Sequence, residues 1–186
     1  LERRRITGLL ILKDGEIVAE RYRYDRNDQA RFLSFSMAKS ITSLLMGGAL
    51  DRGLVKSIDD TAGLYVKELA DSPYGQTSIR HLLRMSSGLR FTERYDGQDD
   101  VAKLSRSVAT GNPPVTTVLR SITDRHSPSG EKFIYASAET EVLGRVLSAA
   151  TGKTMAELTS EWLWKPIGAE QDAFWCTAKD RQEGAY

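Results

Sequence analysis

Ser36-Met37-Ala38-Lys39 sets a hydroxyl and an amine three residues apart where an apolar, helix-like stretch begins, FLSFSMAKSITSLLMGG. Residues three apart on a helix share a face, so the Lys39 amine can reach the Ser36 hydroxyl. A serine hydroxyl is a weak nucleophile and needs a base. A lysine serves as that base only where burial or a neighbouring cation brings its pKa toward neutrality. Phe32, Leu33, Phe35, Met37 and Ile41 offer an apolar setting, in which a charged lysine is otherwise costly. A helix start also supplies backbone N–H groups and a partial positive charge for a developing oxyanion. The competing reading is two polar residues on an ordinary helix. Spacing alone does not decide, because Ser129-Gly130-Glu131-Lys132 repeats the pattern. There the serine lies in a Pro-Ser-Gly turn, so Lys132 need not face it, and we expect a structural role.

Three further features accompany Ser36. IRHLLRMSSGL places a helix, then Ser-Gly, then Leu; PSGEKFIYASAETEVLG places Tyr135 and, two residues later, Ser137 at the mouth of a helix; RFTERYDGQDD is a polar, glycine-containing loop carrying Tyr95. Other patterns lead nowhere. Thr151 to Thr154 has the look of the end of a phosphate-binding loop, but that motif needs glycine where Leu147 stands. Asp59-Asp60 and Asp99-Asp100 are adjacent carboxylates that do not converge, and we expect helix-start charges. Trp162, Trp164 and Trp175 read as packing residues, and His81 and His126 as structural or surface residues.

The elements that must position these groups are legible in outline. TGLLILKDGEIVAERYRYD predicts a hairpin over about residues 6–24 around Asp14-Gly15, since Asp-Gly tolerates positive φ at both turn positions. From Ser36 onward, Ile41, Leu44, Leu45, Ala49 and Leu50 recur at helical spacing, and Gly53 suits a left-handed cap, which predicts a helix over about 36–52. A helix-rich region follows over about 55–165. It comprises a short helix ending at Gly88, one in DDVAKLSRSVATG, and one opened by Pro113-Pro114. SPSGEKFIYAS reads as a turn and a short extended piece, and AETEVLGRVLSAATGK as a helix stopped near Gly152. In the last helix Thr154 precedes Glu157 in the capping pattern. Two strands alone are marginal in water, so we expect the chain to be the front portion of a longer α/β protein.

Bulk properties narrow the function classes. The chain has 186 residues, 40% hydrophobic and 27% charged, as expected of one globular domain or a large piece of one. Its 26 Lys and Arg against 25 Asp and Glu leave a net charge of +1, so no strong field favours nucleic acid or an anionic membrane. The single cysteine, Cys176, excludes an internal disulfide and a cysteine-based zinc site. Two separated histidines show no ligand pattern, so we expect no metal and no cofactor. No run approaches the roughly 18 apolar residues of a membrane span. No signal peptide is visible, but the chain starts at Leu1, and a cytoplasmic or an exported location both stay open, as does oligomeric state.

Taken in order, Ser36-Met37-Ala38-Lys39, LLRMSSGL and PSGEKFIYASAETEVLG resemble the serine β-lactamase and penicillin-binding superfamily in its class C-related branch, on the side of the nylon-oligomer (6-aminohexanoate-dimer) hydrolases and related esterases. The resemblance runs from Ile6 to about Trp175. It implies an α/β (α+β) β-lactamase/transpeptidase-like fold, an antiparallel sheet with a helical region, of which residues 1–186 would be the N-terminal part of one domain. It also implies a serine hydrolase that cleaves an amide or ester of a small-molecule substrate through an acyl-enzyme. Ser36 would be the nucleophile, Lys39 the general base, and Tyr135 the phenol relaying the proton to the leaving group. The Ser36 N–H would form half of an oxyanion hole. Tyr95 and Ser137 would contact substrate. The class C pattern has Asn where Ser137 stands, a departure that fits the nylon-oligomer type and counts against β-lactam hydrolysis. The family's Lys/His-x-Gly motif, on a later edge strand of the sheet, is expected well beyond Tyr186. A β-lactamase or D-alanyl-D-alanine carboxypeptidase, and an inactive binding or sensor domain, are the alternatives.

Overall fold

The structure, a computed structural model, describes residues 4–177 and 183–186. It divides into two compact units, residues 1–34 and 35–186.

The first unit is the expected hairpin. Strands β1 (Gly8–Lys13) and β2 (Glu16–Tyr22) pair antiparallel, with a register shift between Ile11 and Leu12. Asp14 and Gly15 turn the chain at φ 51° and 85°, the left-handed pair that a two-residue hairpin loop requires. Tyr22 stacks on Phe32. Leu10, Ile11, Leu12, Ile17 and Val18 are all exposed, because a two-stranded ribbon cannot cover its own faces.

The second unit is helical. A single 3-10 turn, Phe35–Met37, leads into α1 (Ala38–Asp51), which buries Thr42, Leu45, Met46 and Ala49 along one stripe. Gly53 follows at φ 65° and its N–H closes on the Leu50 carbonyl. Helices α2 (Ile79–Leu83), α3 (Asp100–Thr110), α4 (Val115–Arg120), α5 (Ser137–Thr151) and α6 (Met155–Thr159) complete the unit, and a π-helical turn at Ser160–Trp164 extends α6. The core gathers around α5, which packs on α1 and α2. Its Val142, Leu143, Val146 and Leu147 are at most 2% exposed, and each such side chain contributes about 1.5–3 kcal/mol on burial. Thr154 and Glu157 form a complete capping box on α6. None of the helices among the described residues is long and apolar enough to cross a membrane.

Two local expectations need correction. Helix α2 stops at Leu83, not at Gly88. Met85, at φ 52°, takes the left-handed position; its N–H reaches the Leu82 carbonyl and that of Ser86 the His81 carbonyl, closing a Schellman motif without glycine. The segment before Tyr135 is a turn followed by a short piece outside any helix or strand, and there Ile134 N–H bonds the Met85 carbonyl in a loop-to-loop contact. Helix α4 opens at the two prolines as expected, with Pro114 at its N-cap. Asp59 and Asp60 lie in a turn, where Asp59 pairs with Arg80 and Asp60 accepts from Ser57 N–H and the Tyr65 hydroxyl. Asp99 and Asp100, in contrast, do start α3, with the Asp99 carboxylate accepting from Ala102 N–H.

Candidate active site

Ser36 sits in the 3-10 turn immediately before α1 and is exposed. The residue ahead of it, Phe35, is held at φ 45°, a left-handed conformation that is an outlier for a bulky side chain. One turn later Lys39 is half-buried, and its Nζ donates to Ser36 Oγ at 3.0 Å. The same Nζ lies 4.9 Å from the centroid of the Tyr135 ring and 5.4 Å from that of Tyr186. Three of the expected residues, Ser36, Lys39 and Tyr135, are therefore brought together.

Tyr135 arrives here by way of the Ser86-Ser87-Gly88 turn. Gly130 N–H donates to the Ser86 carbonyl, His126 N–H to that of Gly88, and both the Ser129 hydroxyl and the Arg125 guanidinium to that of Ser87. Gly88 has φ 78°, and a Cβ there would lie 2.1 Å from the Ser127 carbonyl oxygen. Only glycine allows that approach. These bonds also explain the second Ser-x-x-Lys: Ser129 spends its hydroxyl on the Ser87 carbonyl at 2.6 Å.

A buried carboxylate underpins the same turn from α5. Glu139 is 2% exposed, and its Oε1 accepts from the Ser87 hydroxyl at 2.7 Å and from Ser87 N–H at 3.2 Å. Burial pushes its pKa up to about 7 against the pull of those hydrogen bonds. Its Oε2 and the buried Tyr74 hydroxyl have no hydrogen-bond partner among the described residues.

Tyr95 and Ser137, the two expected substrate contacts, meet on a residue that the sequence reading passed over. Glu93 Oε2 accepts from Ser137 N–H at 2.6 Å, and its Oε1 accepts from the Ser137 hydroxyl at 2.8 Å and the Tyr95 hydroxyl at 3.0 Å. Burial, followed by that hydrogen bond, raises the Tyr95 pKa. Tyr186 is the other omission. Its hydroxyl pairs with that of Ser105 at 2.9 Å, and burial pushes its pKa up to about 12. The Ala185 before it is clamped between helices: its N–H donates to Glu141 Oε2 on α5 and its carbonyl accepts from Thr42 Oγ1 on α1. Glu141 itself is fully buried and is paired with Arg145 through Oε1. A glutamate in a polar loop carries no local mark of its partner, so only the unsatisfied N–H expected at the start of α5 pointed to a missing acceptor.

His81 and His126 stand apart from this cluster. The ring of His81 packs against the Gly130 turn, and His126 Nε2 is buried without a hydrogen-bond partner among the described residues. Trp162 is half-buried, packs on the core, and lies under the Arg52 guanidinium. Trp175 Nε1 donates to Thr159 Oγ1 and Trp164 Nε1 to the Gln171 carbonyl. No group of three or more His, Cys, Asp or Glu side chains converges among the described residues.

Comparison with known proteins shows what the chain as a whole is similar to. The family profile described as Beta-lactamase matches residues 2–186. The chain is 30% identical over 172 residues to the 6-aminohexanoate-dimer hydrolase of Paenarthrobacter ureafaciens, covering 89% of this chain and 43% of that protein. The chain thus spans less than half of that relative's length. Among solved structures, a Bacillus anthracis protein provisionally assigned as a 6-aminohexanoate-dimer hydrolase superposes with a TM-score of 0.82 at 24% identity, covering 96% of this chain and 49% of that one. An octameric penicillin-binding protein homologue from Pyrococcus abyssi gives 0.69 at 23% identity, over 90% of this chain and 40% of that one. These structural likenesses establish the β-lactamase/transpeptidase-like fold.

Proposed function

This chain belongs to the β-lactamase family, and we propose that it carries the nucleophile of a serine hydrolase that cleaves amide or ester bonds through an acyl-enzyme. Both compact units would then be parts of one hydrolase domain. The observation that carries the reading is the 3.0 Å contact between Lys39 Nζ and Ser36 Oγ beneath the Tyr135 ring.

Lys39 accepts the Ser36 proton as Oγ bonds the carbonyl carbon of the substrate. The carbonyl π electrons move onto oxygen, where the Ser36 N–H stabilises the charge. Tyr135 passes the proton to the leaving amine or alcohol as the C–N or C–O bond breaks. Water then repeats the sequence on the ester of Ser36, releasing the acid. Ser137, two residues after Tyr135, and Tyr95 share the Glu93 carboxylate. The named relative acts on a 6-aminohexanoate dimer, and a small linear amide or ester is the substrate class we assign.

The test is labelling of the full-length protein with a fluorophosphonate, followed by peptide mass analysis. The expected adduct is on Ser36, with turnover of p-nitrophenyl butyrate and none of a chromogenic cephalosporin. Turnover of the cephalosporin instead would transfer the assignment to a penicillin-interactive enzyme. An unlabelled, inactive protein would leave a binding or sensor domain.

A further inference from the structure

Glu93 bonds both residues expected to contact substrate: it accepts from the Ser137 N–H and hydroxyl and from the Tyr95 hydroxyl. We propose that Glu93, anchored on the start of α5, is a positioning residue that sets the Tyr95 phenol in place before substrate arrives, making Tyr95 a fixed wall of the site. The proposal rests on the reading of Ser36 as the nucleophile.

The geometry fixes Tyr95 at both ends. Its backbone is held at φ 58°, a conformation that costs free energy for a tyrosine and persists only where neighbours impose it. Asp99 imposes it. This carboxylate is 2% exposed, and its Oδ2 accepts from Arg94 N–H at 2.5 Å and Tyr95 N–H at 2.7 Å while Oδ1 caps α3. Glu93 then holds the other end by accepting from the phenol. Asp96 tightens the same loop, its Oδ1 accepting from Gln98 N–H and Asp99 N–H. Tyr95 is 71% exposed, and a ring so open to solvent has no packing to hold it. Its hydrogen bonds must do so.

Glu93 is itself anchored by the start of α5. Ser137 is the first residue of that helix and its N–H would otherwise lack a partner. A carboxylate there is also favoured by the helix dipole. Because Ser137 follows Tyr135 by two residues, the one anchor ties the wall to the segment that carries the phenol. Ordering a side chain before binding removes that entropic cost from the binding step. The effect of losing Glu93 should therefore fall on KM more than on kcat.

The test is a double-mutant cycle on p-nitrophenyl butyrate hydrolysis in the full-length protein, with Glu93→Gln, Tyr95→Phe and the pair. Glu93→Gln keeps the shape of the side chain and removes its charge. The single change is expected to lower kcat/KM about tenfold, mainly through KM, the size of losing a charge-assisted hydrogen bond. In the Tyr95→Phe protein the same change is expected to cost less than about twofold, because the phenol it holds is already gone. An equal cost in both backgrounds would reduce Glu93 to a helix cap and overturn the proposal. Should Glu93→Gln fail to fold, Tyr95→Phe alone decides: a KM raised several-fold supports the wall, and unchanged kinetics overturn it. Fluorophosphonate labelling of the unmutated protein separates the underlying reading. An unlabelled Ser36 would overturn the acyl-enzyme assignment and this proposal with it, whereas equal costs with Ser36 labelled would overturn this proposal alone.

Discussion

Replacing Glu139 by glutamine should change how the stability of the protein depends on pH, by an amount the structure sets. Among the described residues Glu139 is held by neutral donors, foremost Ser87, and burial raises its pKa from 4.5 to about 7. Between those values the folded state binds the proton more tightly than the unfolded chain. Stability from this group is therefore fully present below about pH 4.5 and is lost as pH rises toward 7. A shift of this size corresponds to about 3 kcal/mol at 1.36 kcal/mol per unit. Ionisation also adds negative charge near the buried Tyr74 hydroxyl, whose pKa burial, and then Glu139, raise well above the ordinary value. Glutamine keeps an oxygen for the two Ser87 donors and never ionises. Urea unfolding followed by tryptophan fluorescence, from about pH 4.5 to about pH 8, should show the unmutated protein losing about 3 kcal/mol relative to Glu139→Gln. At the alkaline end the variant should be the more stable of the two. Parallel curves would mean that Glu139 titrates as an ordinary carboxyl, and the account of its burial would be wrong.

The remaining predictions concern the site and its scaffold. Ser36→Ala and Lys39→Ala should each lower kcat/KM by about 10⁴-fold or more, as members of a nucleophile–base unit do, while circular dichroism stays unchanged; esterase activity surviving in Ser36→Ala would remove the mechanism. Tyr135→Phe should slow acylation by about 10²–10⁴-fold, the range for a positioned proton donor, with stopped-flow acylation as the readout and an unchanged rate excluding the relay. Gly88→Ala puts a Cβ 2.1 Å from the Ser127 carbonyl oxygen at φ 78°. Left-handed strain alone costs about 1–2 kcal/mol, and displacement of the 125–134 loop adds to it. A fall in thermal midpoint of roughly 8 °C, about 3 kcal/mol for a chain of this size, should accompany weakened Ser36 labelling.

How much of this was legible in residue order depends on the range of the interaction. The sequence by itself determined the features whose cause lies within a few residues. Asp14-Gly15 specified a hairpin turn because those residues accept positive φ. Thr154 and Glu157 specified the start of α6 because each side chain caps the other's backbone. Ser36 and Lys39 were set on one face by helical geometry alone, and their 3.0 Å contact follows from a spacing of three.

Tertiary structure decided what no local pattern encodes. Met85 ends α2 in place of the more obvious Gly88, because Ser86 and Gly88 are engaged by the incoming loop at Gly130 and His126. The two Ser-x-x-Lys sequences differ in consequence: the Ser129 hydroxyl is drawn to the Ser87 carbonyl 42 residues away, and Ser36 faces only its own lysine in the described hydrogen bonds. Glu93 joins Ser137 across 44 residues, and Ala185 reaches Glu141 across the same distance. A helix start offers any acceptor its unsatisfied N–H groups, and a carboxylate accepts from any donor in reach. Which carboxylate fills which gap is set by how α1, α3 and α5 pack, and that is a property of the folded chain.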